Sequence, residues 1–140
     1  MPRDPLDALV RVRQIALDEA RRALAVCLAA EDAAETARVR SEAAITQERD
    51  AAERLDAGDA AVEAFAAWLP IARERLRQTI AAYERSLAET ARARAVATLA
   101  QSAHEAAEDA LARKREAERV TRQGQEQLAL EEAARRPRKQ

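Results

Sequence analysis

The groups in this chain whose types could do chemistry are few: His104, Cys27, the carboxylate pair Glu131 and Glu132, and the terminal run Arg135, Arg136, Pro137, Arg138 and Lys139. A histidine can act as acid, base or ligand, but His104 stands in the stretch Gln-Ser-Ala-His-Glu-Ala with no second histidine anywhere, which reads as a solvated side chain on a helix surface. Cys27 shares a stripe with Leu24 and reads as a small apolar group buried in packing rather than a reactive thiolate. As the only cysteine it excludes an internal disulfide and suits a reducing compartment. Neighbouring carboxylates are expected by chance where 25 of 140 residues are acidic. Gly58 and Gly124 stand alone, so no glycine-rich loop is available to cradle phosphate. No catalytic residue, metal site or cofactor is expected, and the chain reads as non-enzymatic.

The basic terminal run could touch phosphate or an acidic protein surface, and at a helix C-terminus it would also complement the dipole as a frayed tail. A formal net charge of −1 supplies no global field toward nucleic acid or an anionic membrane, so neither nucleic acid binding nor membrane insertion is expected. The N-terminal Met-Pro-Arg-Asp-Pro lacks the layout of a signal peptide. No apolar run approaches the ~20 residues of a membrane span, which points to a cytoplasmic protein.

The elements that must position any surface follow from composition. Alanine supplies 38 of 140 residues, 35% are charged, and Phe65, Trp68 and Tyr83 are the only aromatics. Such a chain favours helix over strand and has too little side-chain bulk for a wide core. The expected fold is all-α, a long antiparallel two-helix coiled-coil hairpin forming a single rod over residues 1–140. Asp4 can cap helix 1 ahead of Pro5, placing that helix at about 5–56. Its heptad seam runs Leu6, Val10, Arg13, Leu17, Ala20, Leu24 and Cys27, then thins to Ala34, Ala37, Ser41 and Ala44.

Gly58 between Ala57 and Asp59 marks the turn at about 57–59, with helix 2 at about 60–134 and a basic tail at 135–140. The second seam runs Val62, Phe65, Leu69, Ala72, Leu76, Thr79, Tyr83 and Ser86, flanked by Ile80 and Leu87. It continues weakly through Ala103, Ala106, Ala110, Ala117 and Val120. Pro70 implies either a kink in helix 2 or a second bend there. Residues 1–70 carry 9 basic and 14 acidic groups, and residues 71–140 carry 15 and 11, so folding one half on the other pairs net charges of −5 and +4. The hairpin is therefore expected to be an elongated monomer, each arm of about fifty residues reaching roughly 75 Å at ~1.5 Å per residue.

Phe65, Trp68, Leu69, Ile71 and Leu76 concentrate the large apolar side chains near the turn. One seam can bury only one stripe of them, so Phe65, Leu69, Ala72 and Leu76 are expected inside. Trp68 and Ile71 are then left either as an exposed contact face or packed on each other beside Pro70.

Three segments, PLDALVRVRQIALDEARRALAVCLAAEDAAE near the start, EAFAAWLPIARERL after the turn and REAERVTRQGQEQLALEEAARR near the end, together resemble the flagellar FliJ proteins of α-proteobacteria over nearly the whole chain. The resemblance implies a cytoplasmic stalk of the flagellar type III protein export apparatus, peripherally associated with the inner-membrane export gate. Its paired termini would lie in the FliI ATPase ring and its turn-side half would contact the gate protein FlhA, with export chaperones as further partners. The family's gate-contacting pattern, Phe then Leu four residues on then Ala three further, is matched by Phe65, Leu69 and Ala72. With Trp68, Ile71 and Leu76 these form the expected gate contact, and Arg135, Arg136, Arg138 and Lys139 the expected ring contact. The alternatives are a generic coiled-coil scaffold, or a coil that binds nucleic acid or a membrane surface through its basic tail.

Overall fold

The computed structural model describes residues 4–137 and consists of two α-helices packed against each other as a hairpin: α1 (Pro5–Ala52) and α2 (Gly58–Arg135). Among the described residues there is no strand. Backbone contacts divide the chain into two compact units, one spanning Glu19–Thr98 and containing the turn, the other combining Met1–Asp18 with Leu99–Gln140.

Both helix starts are explained by their first residues. The Asp4 carboxylate accepts the Leu6 N–H at 2.9 Å and its carbonyl accepts the Asp7 N–H at 3.0 Å, so the cap ahead of Pro5 is made as expected. α1 ends at Ala52, short of the expected 56, and residues 53–57 form the turn. Within it the Glu53 N–H reaches the Arg49 carbonyl and the Ala57 N–H the Arg54 carbonyl. Gly58 has φ +78°, a conformation that costs glycine nothing, and it opens α2 rather than sitting mid-turn. Asp59 lies in the first turn of α2, where a carboxylate suits the positive end of the helix dipole. α2 runs unbroken through Pro70, which excludes a second bend there.

In the turn-containing unit the helices are antiparallel. The Thr90 hydroxyl donates to the Cys27 carbonyl at 3.3 Å, and the Arg38 guanidinium lies 5.5 Å from the centroid of the Tyr83 ring. Buried and half-buried positions alternate in steps of four and three, through Ala20, Leu24, Cys27, Glu31, Ala34, Arg38, Ser41 and Ile45 on α1. On α2 they run through Phe65, Leu69, Ala72, Leu76, Thr79, Tyr83, Ser86 and Thr90. Two expected seam residues drop out: Val62 is 52% exposed, and Ala37 is exposed while Arg38 takes the inward position. Arg38 tolerates that position because its apolar stem covers the seam while NH1 reaches Glu42 at 3.3 Å.

The unit holding the two terminal segments is antiparallel as well. Its inward stripe runs Leu6, Val10, Gln14 and Leu17 on α1 and Ala100, His104, Ala107 and Leu111 on α2, with Asp7, Asp18, Gln101, Ala103 and Ala110 half-buried beside it. Arg13, expected in the seam, is exposed. Gln14 replaces it and its amide donates to Asp18 at 2.9 Å. His104 corrects the sequence reading: it is 8% exposed, at a heptad position, with Nε2 2.9 Å from Glu108 Oε1. Its alanine-rich surroundings carry almost no hydrophobic contrast by which that inward position could be read. Residues 112–137 are all exposed; α1 starts at Pro5, the last contacts across the helices are those of Asp4 and Asp7 with Lys114 and Arg115, and the expected continuation of the seam through Ala117 and Val120 is absent.

Two ion pairs join the helices of this unit, Lys114 to Asp4 at 2.7 Å and Arg115 to Asp7 at 2.8 Å, in the sense that the charge asymmetry predicted. The hydrogen bond from Lys114, aided by the Leu6 N–H, holds the Asp4 carboxyl below its ordinary value of 3.8, and the same contact raises Lys114. A depressed carboxylate contributes stability that is present above its unfolded value and lost as pH falls through its folded one. Asp4→Asn is therefore expected to lower the urea midpoint at pH 6. The difference from the parent should shrink toward zero as pH drops below 3.8. A difference that stays constant with pH would show that it does not come from the Asp4 charge, since asparagine keeps the oxygen that caps the Leu6 N–H.

Candidate protein-docking surfaces

The turn end of the Glu19–Thr98 unit carries the most concentrated exposed apolar surface near the expected contact residues. Phe65 and Trp68 pack at 6.0 Å between ring centroids with a 44° tilt. They border a groove of about 460 Å³ whose other walls are Glu48 and the alanines 51, 52, 61 and 64. A second groove of about 420 Å³ lies beneath the turn and includes Arg49, Leu55, Val62 and the other side of Phe65. The first exists because four alanines meet two rings where the chain reverses and leave the rings partly uncovered; the second is the hollow of the turn itself, between Ala52, Gly58, Val62 and Phe65.

The structure divides the residues expected to form the gate contact. Ala72 is 5% exposed and belongs to the seam, as do the half-buried Leu69 and Leu76. Phe65 is half-buried and shared between seam and grooves. Trp68 does not project from a separate face with Ile71. It is half-buried against Phe65 and the first groove, because long helical side chains lean toward the preceding turn and the alanines there make room. Ile71 is 61% exposed, as expected, and borders a different groove of about 430 Å³ with Pro70, Glu74, Arg75 and Gln78.

Sequence reasoning missed Leu55, which is fully exposed in the turn, and misassigned Val62 to the seam. The signal for Leu55 was available: an apolar residue directly before Asp56 in a turn has no helix face on which to hide. Around these grooves, residues 48–63 hold six carboxylates, Glu48, Asp50, Glu53, Asp56, Asp59 and Glu63, against Arg49 and Arg54. Among the described residues none of the six carboxylates has an ion-pair or hydrogen-bond partner; exposed carboxylates such as Glu35 and Glu89 also lack one, so what sets the six apart is that they gather around the grooves.

In the other unit, the unpaired part of α2 exposes Val120, Leu128 and Leu130 by 54%, 62% and 72%. Arg135 is the last helical residue, and the Arg136 N–H closes back on the Glu132 carbonyl at 3.2 Å. Both side chains are exposed. Arg138 and Lys139 lie outside the described residues. Cys27 is half-buried on the seam, as its stripe implied. Among the described residues no group of three His, Cys, Asp or Glu side chains could hold a metal ion, and no helix is long and apolar enough to cross a membrane. No family model, curated protein or solved structure matches the chain.

Proposed function

We propose that this chain is a non-enzymatic stalk and adaptor of the flagellar type III protein export apparatus. It would be a cytoplasmic coiled coil that links the FliI ATPase ring to the export gate protein FlhA and receives export chaperones. The observation that supports the reading is exposed apolar surface gathered at two places on the hairpin, beyond single exposed residues such as Val12, Val26, Val39 and Leu99 that occur along both helices. One set lies in the grooves beside Phe65 and Trp68 in the turn-containing unit, and another lies along the exposed stretch 116–135 of α2 in the unit holding the termini. Exposed apolar groups grouped in this way mark contact surfaces, and two of them suit a protein with two partners.

In this reading the turn half meets the gate through Phe65, Trp68 and Ile71, while Leu69, Ala72 and Leu76 hold the seam behind them. The terminal half meets the ring through 116–135 and the basic residues Arg135, Arg136, Arg138 and Lys139. Deleting residues 125–140 is expected to reduce stimulation of FliI while leaving FlhA capture in a pull-down intact, because the described part of the removed segment, residues 125–137, is exposed and makes no contact with α1. Loss of both activities with helicity unchanged would refute separate sites. Failure of the full chain to bind either protein would leave the generic scaffold reading.

A further inference from the structure

The acidic rim and the apolar grooves at the turn are features of one surface. Phe65 borders both grooves. Glu48 lines the first, and Glu53 and Asp59 line the second. Leu55 and Val62 add exposed apolar surface between these carboxylates. We propose that the turn end is the docking site for an amphipathic helix with a basic polar face, which lays its apolar side chains across Phe65, Trp68, Val62 and Leu55 and sets its lysines or arginines against the acidic rim.

Charge complementarity argues for that occupant. Six carboxylates without partners, held within sixteen residues of chain beside only two arginines, repel one another in the free protein, and a cationic helix relieves that repulsion on binding. An acidic or neutral helix would gain only the apolar contact. The alanine walls allow a close approach: with methyl groups at 51, 52, 61 and 64, an incoming leucine can reach the flanks of both rings without displacing a large side chain. This recognition mode, an apolar helix face laid into a groove with charges at its edges, is specified by side chains three and four apart on the partner. The inference deepens the adaptor reading by giving the chemistry of the segment the turn end binds, and it rests on that reading only for the name of the protein that supplies the segment.

Trp68 is the only tryptophan in the chain and lines the groove, so its emission reports occupancy directly. The full-length protein is titrated with a tryptophan-free helical peptide of about five turns in which leucine and lysine alternate at amphipathic spacing. Parallel titrations use the same peptide with glutamate for lysine and a scrambled leucine/lysine peptide that has no apolar face. Saturable binding with a change in Trp68 emission is expected for the first peptide, weakening as salt is raised, with binding of the other two at least about tenfold weaker.

The triple variant Glu48→Gln, Asp50→Asn, Glu53→Gln removes partnerless carboxylates at the C-terminal end of α1 and the start of the turn, two of which line the grooves, and it should bind the first peptide about tenfold more weakly at unchanged helicity. Equal binding of the scrambled peptide, binding without a response from Trp68, or full affinity in the triple variant would each overturn the proposal. Sedimentation of the protein alone supplies a further check. Self-association that the triple variant abolishes would make the basic tail of a second copy the occupant, and would overturn a separate partner helix. FlhA capture is scored independently, so failure of the flagellar assignment leaves the peptide result standing and the reverse also holds.

Discussion

Leu17→Ala is expected to lower the unfolding free energy by about 2–3 kcal/mol, read as a fall in the urea midpoint of the circular dichroism signal. Leu17 is 2% exposed, and the only other buried large apolar side chains among the described residues are Ile45 and Leu111, each at 8%; the rest of the buried apolar set is alanine. A seam this poor in bulk draws much of its hydrophobic stabilisation from a few residues, since alanine contributes one methyl where leucine contributes four carbons. The figure stays near the lower end for buried leucine because two helices enclose a side chain less completely than a globular core, so solvent partly fills the space. Leu130→Ala provides the contrast. Leu130 is 72% exposed on the part of α2 beyond the seam, and its loss should change the unfolding free energy by less than about 0.5 kcal/mol. Equal effects at the two positions would mean that the terminal segments pair differently in solution.

Pro70→Ala is expected to act in the opposite direction, raising stability by about 2–3 kcal/mol in the same measurement. Inside a helix, proline removes one backbone hydrogen bond and forces its ring against the carbonyl of the residue four before it, here Ala66. α2 nevertheless continues through this position, so the cost is carried by the folded state rather than avoided by a break. The ring is exposed and its removal leaves no cavity to offset the gain. A change of less than about 0.5 kcal/mol would mean that the helix is already interrupted at residue 70 in solution. Because Pro70 lies beside Trp68 and Ile71, the same variant also asks whether the turn end depends on the local distortion. Stability gained with peptide binding lost would tie the proline to recognition.

The all-α class, the two helices, the cap at Asp4, the reversal near Gly58 and the antiparallel pairing were all legible in the sequence. They depend on local chemistry and on charge summed over long segments, neither of which requires knowing what touches what. The seam of α2 from Phe65 to Ser86 was legible for a related reason: large apolar residues at heptad spacing leave one inward face.

Where alanine dominates, that contrast vanishes, and tertiary pairing decided the inward positions. It turned Gln14 inward in place of Arg13, Arg38 in place of Ala37, and His104 where a solvated residue was expected. Partner availability settled the far end of α2, since nothing in the sequence of residues 116–135 announces that they lie beyond the last contacts with Asp4 and Asp7. The turn end was settled by side-chain direction: Trp68 lies back on Phe65 over a floor of alanines, and Leu55 and Val62 stay uncovered because a reversing chain brings no third element to cover them. Spacing along one helix identifies which residues share a face. Which of those faces is covered depends on the second helix and on where it stops.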